Sequence, residues 1–231
     1  MKFPEKFVQG IFLSRPNRFL GMVRVQGRET VCFVPNPGRL REILGPGTPV
    51  YLRRADGMGR KTRWDLVLAR RGDLLVSVDT RAVNLLVPEA IRSGIIPSLR
   101  GLEIMQAEYP FRDSRLDFLA RDGKMPVLLE AKSCTLVEEG VALFPDAPTA
   151  RGSRHLGTLA RGIREGMGAM VIFVIQREDG QRFSPNAGLD PEFGRAFRHA
   201  IRRGVEACAF TCRVTEDGIT PYREIPVIPP G

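Results

Sequence analysis

Cysteine is scarce in this chain of 231 residues, and the four present, Cys32, Cys134, Cys208 and Cys212, show no paired CxxC spacing. That excludes a zinc knuckle and gives no sign of a disulfide framework. Cys208 and Cys212 fall in an apolar, strand-like run and read as reduced core thiols on one side of it. No apolar stretch approaches the roughly 18–20 residues needed to span a bilayer. No apolar signal region follows Met1-Lys2-Phe3-Pro4, so the expected location is the cytoplasm. Internal repeats, low-complexity segments and a glycine-rich nucleotide-binding loop are all missing.

Lysine is scarce too. Of the 35 basic residues only Lys2, Lys6, Lys61, Lys124 and Lys132 are lysines, so arginine carries nearly all of a net charge of +9. Arginine meets phosphate with a planar, bidentate fork and stays charged when partly desolvated. The excess is one-sided: residues 1–80 hold 15 basic against 7 acidic residues, and residues 81–231 hold 20 against 19. A basic module joined to a nearly neutral, acid-bearing one suits polyanion capture by the first and chemistry in the second. A codon bias toward arginine on a solubilising surface would leave the same count.

The first eighty residues offer six short strand-like runs, Phe7–Leu13, Phe19–Val25, Thr30–Val34, Val50–Arg54, Trp64–Ala69 and Leu74–Val78, with a short helix expected near Leu40–Leu44. Gly, Pro, Asn and Asp separate them, the pattern of a small β-barrel of the oligonucleotide/oligosaccharide-binding (OB) type. Its candidate nucleic-acid face carries Arg15, Arg18, Phe19, Arg24, Arg53, Arg54, Arg60, Arg63 and Trp64, although Phe19 and Trp64 equally suit the core. Pro35-Asn36-Pro37-Gly38 is a strong turn signal that either presents Arg39 to a phosphate or only reverses the chain. Near residue 80 the pattern changes to helical spacing over Thr80–Ile91, with Thr80 as cap and Pro88 expected at a start, kink or break. The boundary is placed there, giving domains 1–80 and 81–231. Beyond it, helices at Arg151–Gly166 and Glu192–Arg203 alternate with strands at Ala169–Ile175 and Val205–Cys212, the mark of an α/β sheet with crossover connections. Arg151, Arg154 and His155 open the first of these helices, where backbone N–H groups favour anions. Leu136–Ala150, bearing Glu138, Glu139 and Asp146, reads as a long loop, either a cover for a site or a plain connection.

The chemistry concentrates between Arg115 and Lys132. Arg121-Asp122-Gly123-Lys124 is a turn between two apolar runs, so the segment reads as a β-hairpin. Alternate residues of a strand face one side, which pairs Glu130 with Lys132 on one strand and Arg115 with Asp117 on the other. Two converging carboxylates can hold Mg²⁺ or Mn²⁺, with the lysine beside them to place a water or offset transition-state charge. An acid and a lysine on a solvated strand face would carry the same spacing, but the apolar Val127-Leu128-Leu129 run points to a buried strand.

Four segments, Val34–Leu40, Ser114–Leu119, Leu129–Ser133 and Val141–Thr149, the last continued by Arg151-Gly152-Ser153-Arg154-His155-Leu156, resemble the sugar fermentation stimulation protein A (SfsA) family essentially end to end. The resemblance implies an α+β two-domain protein: an OB-like barrel, then an α/β domain with a central mixed sheet similar to PD-(D/E)XK restriction-endonuclease-like nucleases, in proteins usually described as DNA-binding. It maps the superfamily's acid and acid-x-lysine onto Asp117, Glu130 and Lys132, with Glu108 or Glu89 as a further acid and Gln176 as a neighbouring polar residue. Two departures stand out: Leu116-Asp117 replaces Pro-Asp, and Asn36-Pro37-Gly38 stands where the family reads Asn-Thr-Gly. The implied function is a Mg²⁺-dependent (or Mn²⁺-dependent) nuclease acting on DNA, RNA not excluded. The alternative is a non-catalytic DNA-binding regulator affecting sugar metabolism.

Overall fold

The computed structural model describes residues 1–3, 6–55 and 59–228. Six strands build the N-terminal unit: β1 (Val8–Asn17), β2 (Leu20–Val25), β3 (Arg28–Phe33), β4 (Pro49–Arg54), β5 (Trp64–Arg71) and β6 (Leu74–Ser77). They run in the order β3-β2-β1-β4-β5-β6, and a parallel contact between Phe33 and Asp65 joins β3 to β5. Five strands therefore close into a barrel, with β6 appended to β5. Closure leaves one inside, and alternate side chains fill it: Phe12, Val23, Cys32, Val50, Leu52 and Leu66 are buried together. The helix expected near Leu40–Leu44 is a single turn closed by Leu44 N–H donating to Leu40 O at 2.8 Å. One turn suffices because Leu40, Ile43 and Leu44 need only cap the barrel core.

The chain then passes through a 3-10 turn, Thr80–Ala82, into α1 (Val83–Ser93). Asp79, not Thr80, caps this entry, its carboxylate accepting from Arg81 N–H at 3.0 Å. Pro88 sits inside α1 and neither starts nor breaks it. The proline removes the N–H that would reach Asn84, an exposed residue whose carbonyl water can serve.

A second six-stranded sheet follows: β7 (Leu102–Phe111), β8 (Ser114–Asp122), β9 (Met125–Cys134), β12 (Gly168–Ile175), β14 (Glu206–Val214) and β15 (Ile219–Glu224), in the order β15-β14-β12-β9-β8-β7. Strands β9, β12 and β14 are parallel and the outer neighbours antiparallel, so the sheet is mixed. The continuous apolar run of β12 is what a strand covered on both faces requires. Helices α2 (Ala150–Arg164) and α3 (Pro191–Arg202) carry the two crossovers and pack on one face, with Leu156, Leu159, Phe193 and Phe197 in its core. Helix α1 covers the other face through Leu86, Val87 and Ala90. Cys208 and Cys212 share that α1-side core, and all four cysteines are free and buried.

The expected loop at 136–150 is instead largely a hairpin, β10 (Leu136–Glu138) and β11 (Val141–Phe144), which pairs in parallel with β13 (Arg182–Pro185). Val137 and Ala142 bury against the α2–α3 core, a long-range gain that three- and four-residue strands do not announce locally.

Two polar clamps join the barrel to the second sheet. Gln176, fully buried, donates to Asp79 O at 3.2 Å and Ser133 Oγ at 2.8 Å while accepting from Ser77 Oγ at 3.2 Å. On the other side, Asp146 accepts from Leu40 N–H at 3.3 Å and packs against Gly38 so closely that a Cβ there would meet its carboxylate at 2.2 Å.

Candidate functional site

Register places Phe118 of β8 opposite Leu129 of β9, so the next residues along, Asp117 and Glu130, share a face. Lys132 repeats that side two residues on. The face is the one covered by α2, and from its first turns His155 is delivered onto Glu130. Helix α2 starts here because Thr149 caps it, its hydroxyl accepting from Gly152 N–H at 3.1 Å. Asp190, the cap of α3, also accepts from Thr149 N–H at 2.8 Å and so fastens the two helix starts together.

Glu130 is 3% exposed, and its Oε1 takes hydrogen bonds from the Lys132 ammonium and from His155 Nδ1. Its second oxygen, Oε2, is buried with no partner. Burial pushes this carboxyl upward, but the His155 hydrogen bond and the Lys132 charge outweigh it, and the net shift is below the ordinary glutamate value. Arg151 Nε donates to His155 Nε2 at 3.4 Å, so that nitrogen is the acceptor and the imidazole proton sits on Nδ1, facing Glu130. Asp117 behaves oppositely. Burial first, then the negative charge of Glu130, lift its carboxyl to about 6, against the opposing pull of Ala131 N–H, which donates to Oδ2 at 2.7 Å. One carboxyl shifted down and one shifted up share a side of the sheet, and their oxygens are of the type a hard cation would take as donors. Among the described residues no group of three or more His, Cys, Asp or Glu converges on one point.

The other sequence candidates fall elsewhere. Glu108 of β7 is exposed, has φ +53° and pairs with Arg115 at 3.0 Å. Glu89 lies on α1, across the sheet from the site, and binds the amino group of Met1. Gln176 is the interdomain clamp described above, so its amide is spent on Ser77, Asp79 and Ser133. Among the basic candidates, Arg15 turns inward and donates to the carbonyls of Asn36, Gly38, Arg39 and Arg18 at 2.6–2.7 Å. Asn36 Oδ1 accepts from Gly38 N–H at 2.8 Å, so the Pro-Asn-Pro-Gly run is a braced turn whose amide is already used. Arg53 lies 3.6 Å from both Asp65 and Asp79, Arg24 pairs with Glu29 at 3.1 Å, and Trp64 packs against the barrel core. Arg18, Arg39, Arg54, Arg63, Arg151 and Arg154 remain exposed. His155, expected beside Arg151 and Arg154 as an anion contact, is buried against Glu130, and its spacing four residues after Arg151 is the one local signal of their contact.

A closed five-stranded barrel, followed by a mixed sheet that presents an acid and an acid-x-lysine on adjacent strands, defines a two-domain protein of restriction-endonuclease-like architecture. Its family follows from two matches: residues 13–78 match the SfsA N-terminal OB domain and residues 81–218 the sugar fermentation stimulation protein RE domain. The chain belongs to the SfsA family. Relatives named sugar fermentation stimulation protein homolog include one from Thermoanaerobacter sp. (strain X514), 44% identical over 218 residues and covering 94% of this chain and 95% of its own. Another, from Caldanaerobacter subterraneus subsp. tengcongensis, is 41% identical over 228 residues, covering 99% and 100%. The structure of Pyrococcus furiosus SfsA in complex with Ca²⁺ superposes with a TM-score of 0.90 at 31% identity, covering 99% of this chain and 98% of that one.

Proposed function

We propose that this protein is a cytoplasmic, DNA-binding phosphodiesterase that uses Mg²⁺ or Mn²⁺. The observation that carries the reading is the convergence of Asp117, Glu130 and Lys132 on one sheet face, with Glu130 Oε2 buried and unpartnered. An orphaned carboxylate oxygen in a protein interior is costly unless something positive meets it, and the Asp117 carboxyl beside it is raised by burial and by the Glu130 charge. The Ca²⁺ in the P. furiosus relative belongs to the same class of hard, oxygen-seeking ions.

Asp117 and Glu130 would supply the protein's oxygen donors. A bound divalent ion lowers the pKa of a coordinated water and offsets the charge of the phosphate. Lys132, anchored on Glu130, sits where its ammonium can hold the attacking water or a non-bridging phosphate oxygen. His155 fixes the rotamer of Glu130, and Arg151 in turn fixes the imidazole tautomer. The excess arginine of residues 1–80 supplies backbone attraction, led by the exposed Arg18, Arg39, Arg54 and Arg63.

A second reading, a non-catalytic DNA-binding regulator, draws on the fact that both Lys132 and His155 already satisfy Glu130 Oε1. One experiment separates the two. Labelled single-stranded, duplex and branched DNA, and RNA, are incubated with Mg²⁺, Mn²⁺ or EDTA, with Glu130→Ala and Asp117→Asn beside the wild type. Metal-dependent cutting lost in both variants supports the nuclease and names its substrate. Equal activity in wild type and variants sinks it, and salt-sensitive binding without cutting leaves the regulator.

A further inference from the structure

The seam between α2 and α3 on the outer surface holds an open cleft of about 470 Å³, continued by a second of about 220 Å³ that shares Gly157 and His199 with it. Arg154, Arg161, Arg164, Arg195 and Arg203 line the two, and the single acid among the lining residues is Glu192. Arg161 pairs with Asp113 at 3.2 Å, while Arg154, Arg164, Arg195 and Arg203 are exposed and form no salt bridge among the described residues. Facing rows of unneutralised guanidinium groups repel each other in the free protein and gain from a polyanion laid between them.

Gly157 is the second clue. Helix α2 contains three glycines, and two have packing reasons: a Cβ on Gly152 would meet Thr149 at 2.7 Å and one on Gly162 would meet Leu128 at 2.4 Å. At Gly157 a Cβ would meet nothing within 4 Å. Its absence of a side chain costs helix stability and relieves no contact, yet it leaves the floor of the cleft bare between the arginine rows.

The cleft and the acid site lie on opposite sides of one helix. Ala150, Ser153 and Arg154 at its mouth belong to the same first turns of α2 whose inner side puts His155 on Glu130. Fifteen residues of helix span about 22 Å, enough for roughly six phosphates of one strand at 3.4 Å each along a duplex.

We propose that the α2–α3 cleft is a track for the sugar–phosphate backbone of one nucleic-acid strand, on the outer side of the helix whose inner side carries His155 to Glu130. The proposal rests on the nucleic-acid reading above and deepens it. No Phe, Tyr or Trp lines the cleft, so it grips the backbone without stacking bases, and its contribution is independent of sequence.

The test measures binding of a labelled duplex and of its single strand in EDTA, across roughly 50–200 mM salt, with the full chain. Arg154→Ala/Arg195→Ala is compared with Arg92→Ala/Arg100→Ala, which removes the same charge away from the cleft, and with Gly157→Leu, which fills the floor at constant charge. Thermal melting confirms that each variant is folded. The expected result is a roughly tenfold or greater loss of affinity in the cleft double variant, with its salt slope reduced by about 2, at about 0.9 per phosphate contact. Gly157→Leu also weakens binding, and the Arg92/Arg100 control binds as wild type does. Cleft variants that bind as the control does overturn the track and leave the functional reading standing. A wild type that binds no nucleic acid overturns both.

Discussion

His155 Nδ1 lies 2.5 Å from Glu130 Oε1, so a helix and a central strand far apart in sequence share one hydrogen bond at the centre of the site. The ring does not face outward for an incoming phosphate; it sets the direction of the carboxylate. His155→Ala is expected to lower divalent-metal affinity or cleavage about 10- to 100-fold. His155→Asn, whose amide can still donate toward Glu130, should recover part of the loss. Calorimetric titration with Mn²⁺ beside a cleavage assay checks this; equal values for all three proteins would remove the positioning role.

Asp117 carries a pH signature. Its carboxyl is raised to about 6 from an ordinary 3.8, so the folded state binds this proton more tightly than the unfolded chain. Stability from this group is therefore full below pH 3.8 and is lost as the pH rises to about 6. Asp117→Asn has no proton to lose. Its melting temperature should exceed that of the wild type by a gap that opens between about pH 4 and 6 and then holds, roughly 2–4 °C for each kcal/mol relieved. Added Mg²⁺ should narrow the gap by stabilising the wild type alone. A gap independent of pH would contradict the assignment.

Metal affinity should follow the same proton. Glu130 is already ionised well below neutrality, so the pH dependence of Mn²⁺ binding is expected to track Asp117 and rise up to about pH 6, then level. A titration midpoint near the ordinary aspartate value would contradict the raised Asp117 carboxyl, and Mn²⁺ binding unchanged by Asp117→Asn would show that Asp117 is not a ligand.

Gly38 is where the barrel meets the second domain. A Cβ at this position would stand 2.2 Å from the Asp146 carboxylate, which also accepts from Leu40 N–H. Gly38→Ala should cost about 1–3 kcal/mol in urea unfolding, the usual range for overpacking. Pairing it with Asp146→Ala should recover part of that cost, since the clash then has no partner; additive losses would place the effect elsewhere.

Asp190 ties two helix starts together, accepting from Phe193 N–H at 2.9 Å and Thr149 N–H at 2.8 Å. Asp190→Ala is expected to cost more than the ~1 kcal/mol of a single lost cap, and more than Thr149→Ala. Because Thr149 begins the helix that carries His155, cleavage should fall with it, and chemical denaturation read beside activity tests both.

Much of the fold was legible along the chain because its signals are local. Short strand-like runs separated by Gly, Pro, Asn and Asp located the five barrel strands and β6, and the unbroken apolar runs at 127–129 and 169–175 marked buried strands. The elements not anticipated are those whose burial is decided by distant partners. Strand β7 is a mostly exposed edge, β13 has four residues, and β15 carries Pro221. None shows a clean period, and each is held by the strand beside it.

The amino-acid sequence by itself determined the pairing of Glu130 with Lys132 on one side of a strand and the placing of Asp117 across a turn from them, since strand geometry is a two-residue repeat. It also determined the arginine excess of the first eighty residues. Only the tertiary structure decided which acids and bases are free to act. Glu89 was sent to the far face of the sheet, Gln176 into the domain junction and Arg15 into the Asn36–Arg39 turn, while His155 was brought to Glu130. The physical reason is that a side chain's role depends on which hydrogen-bond partner the packing of separate elements places within about 3 Å, and spacing along the chain does not specify that distance.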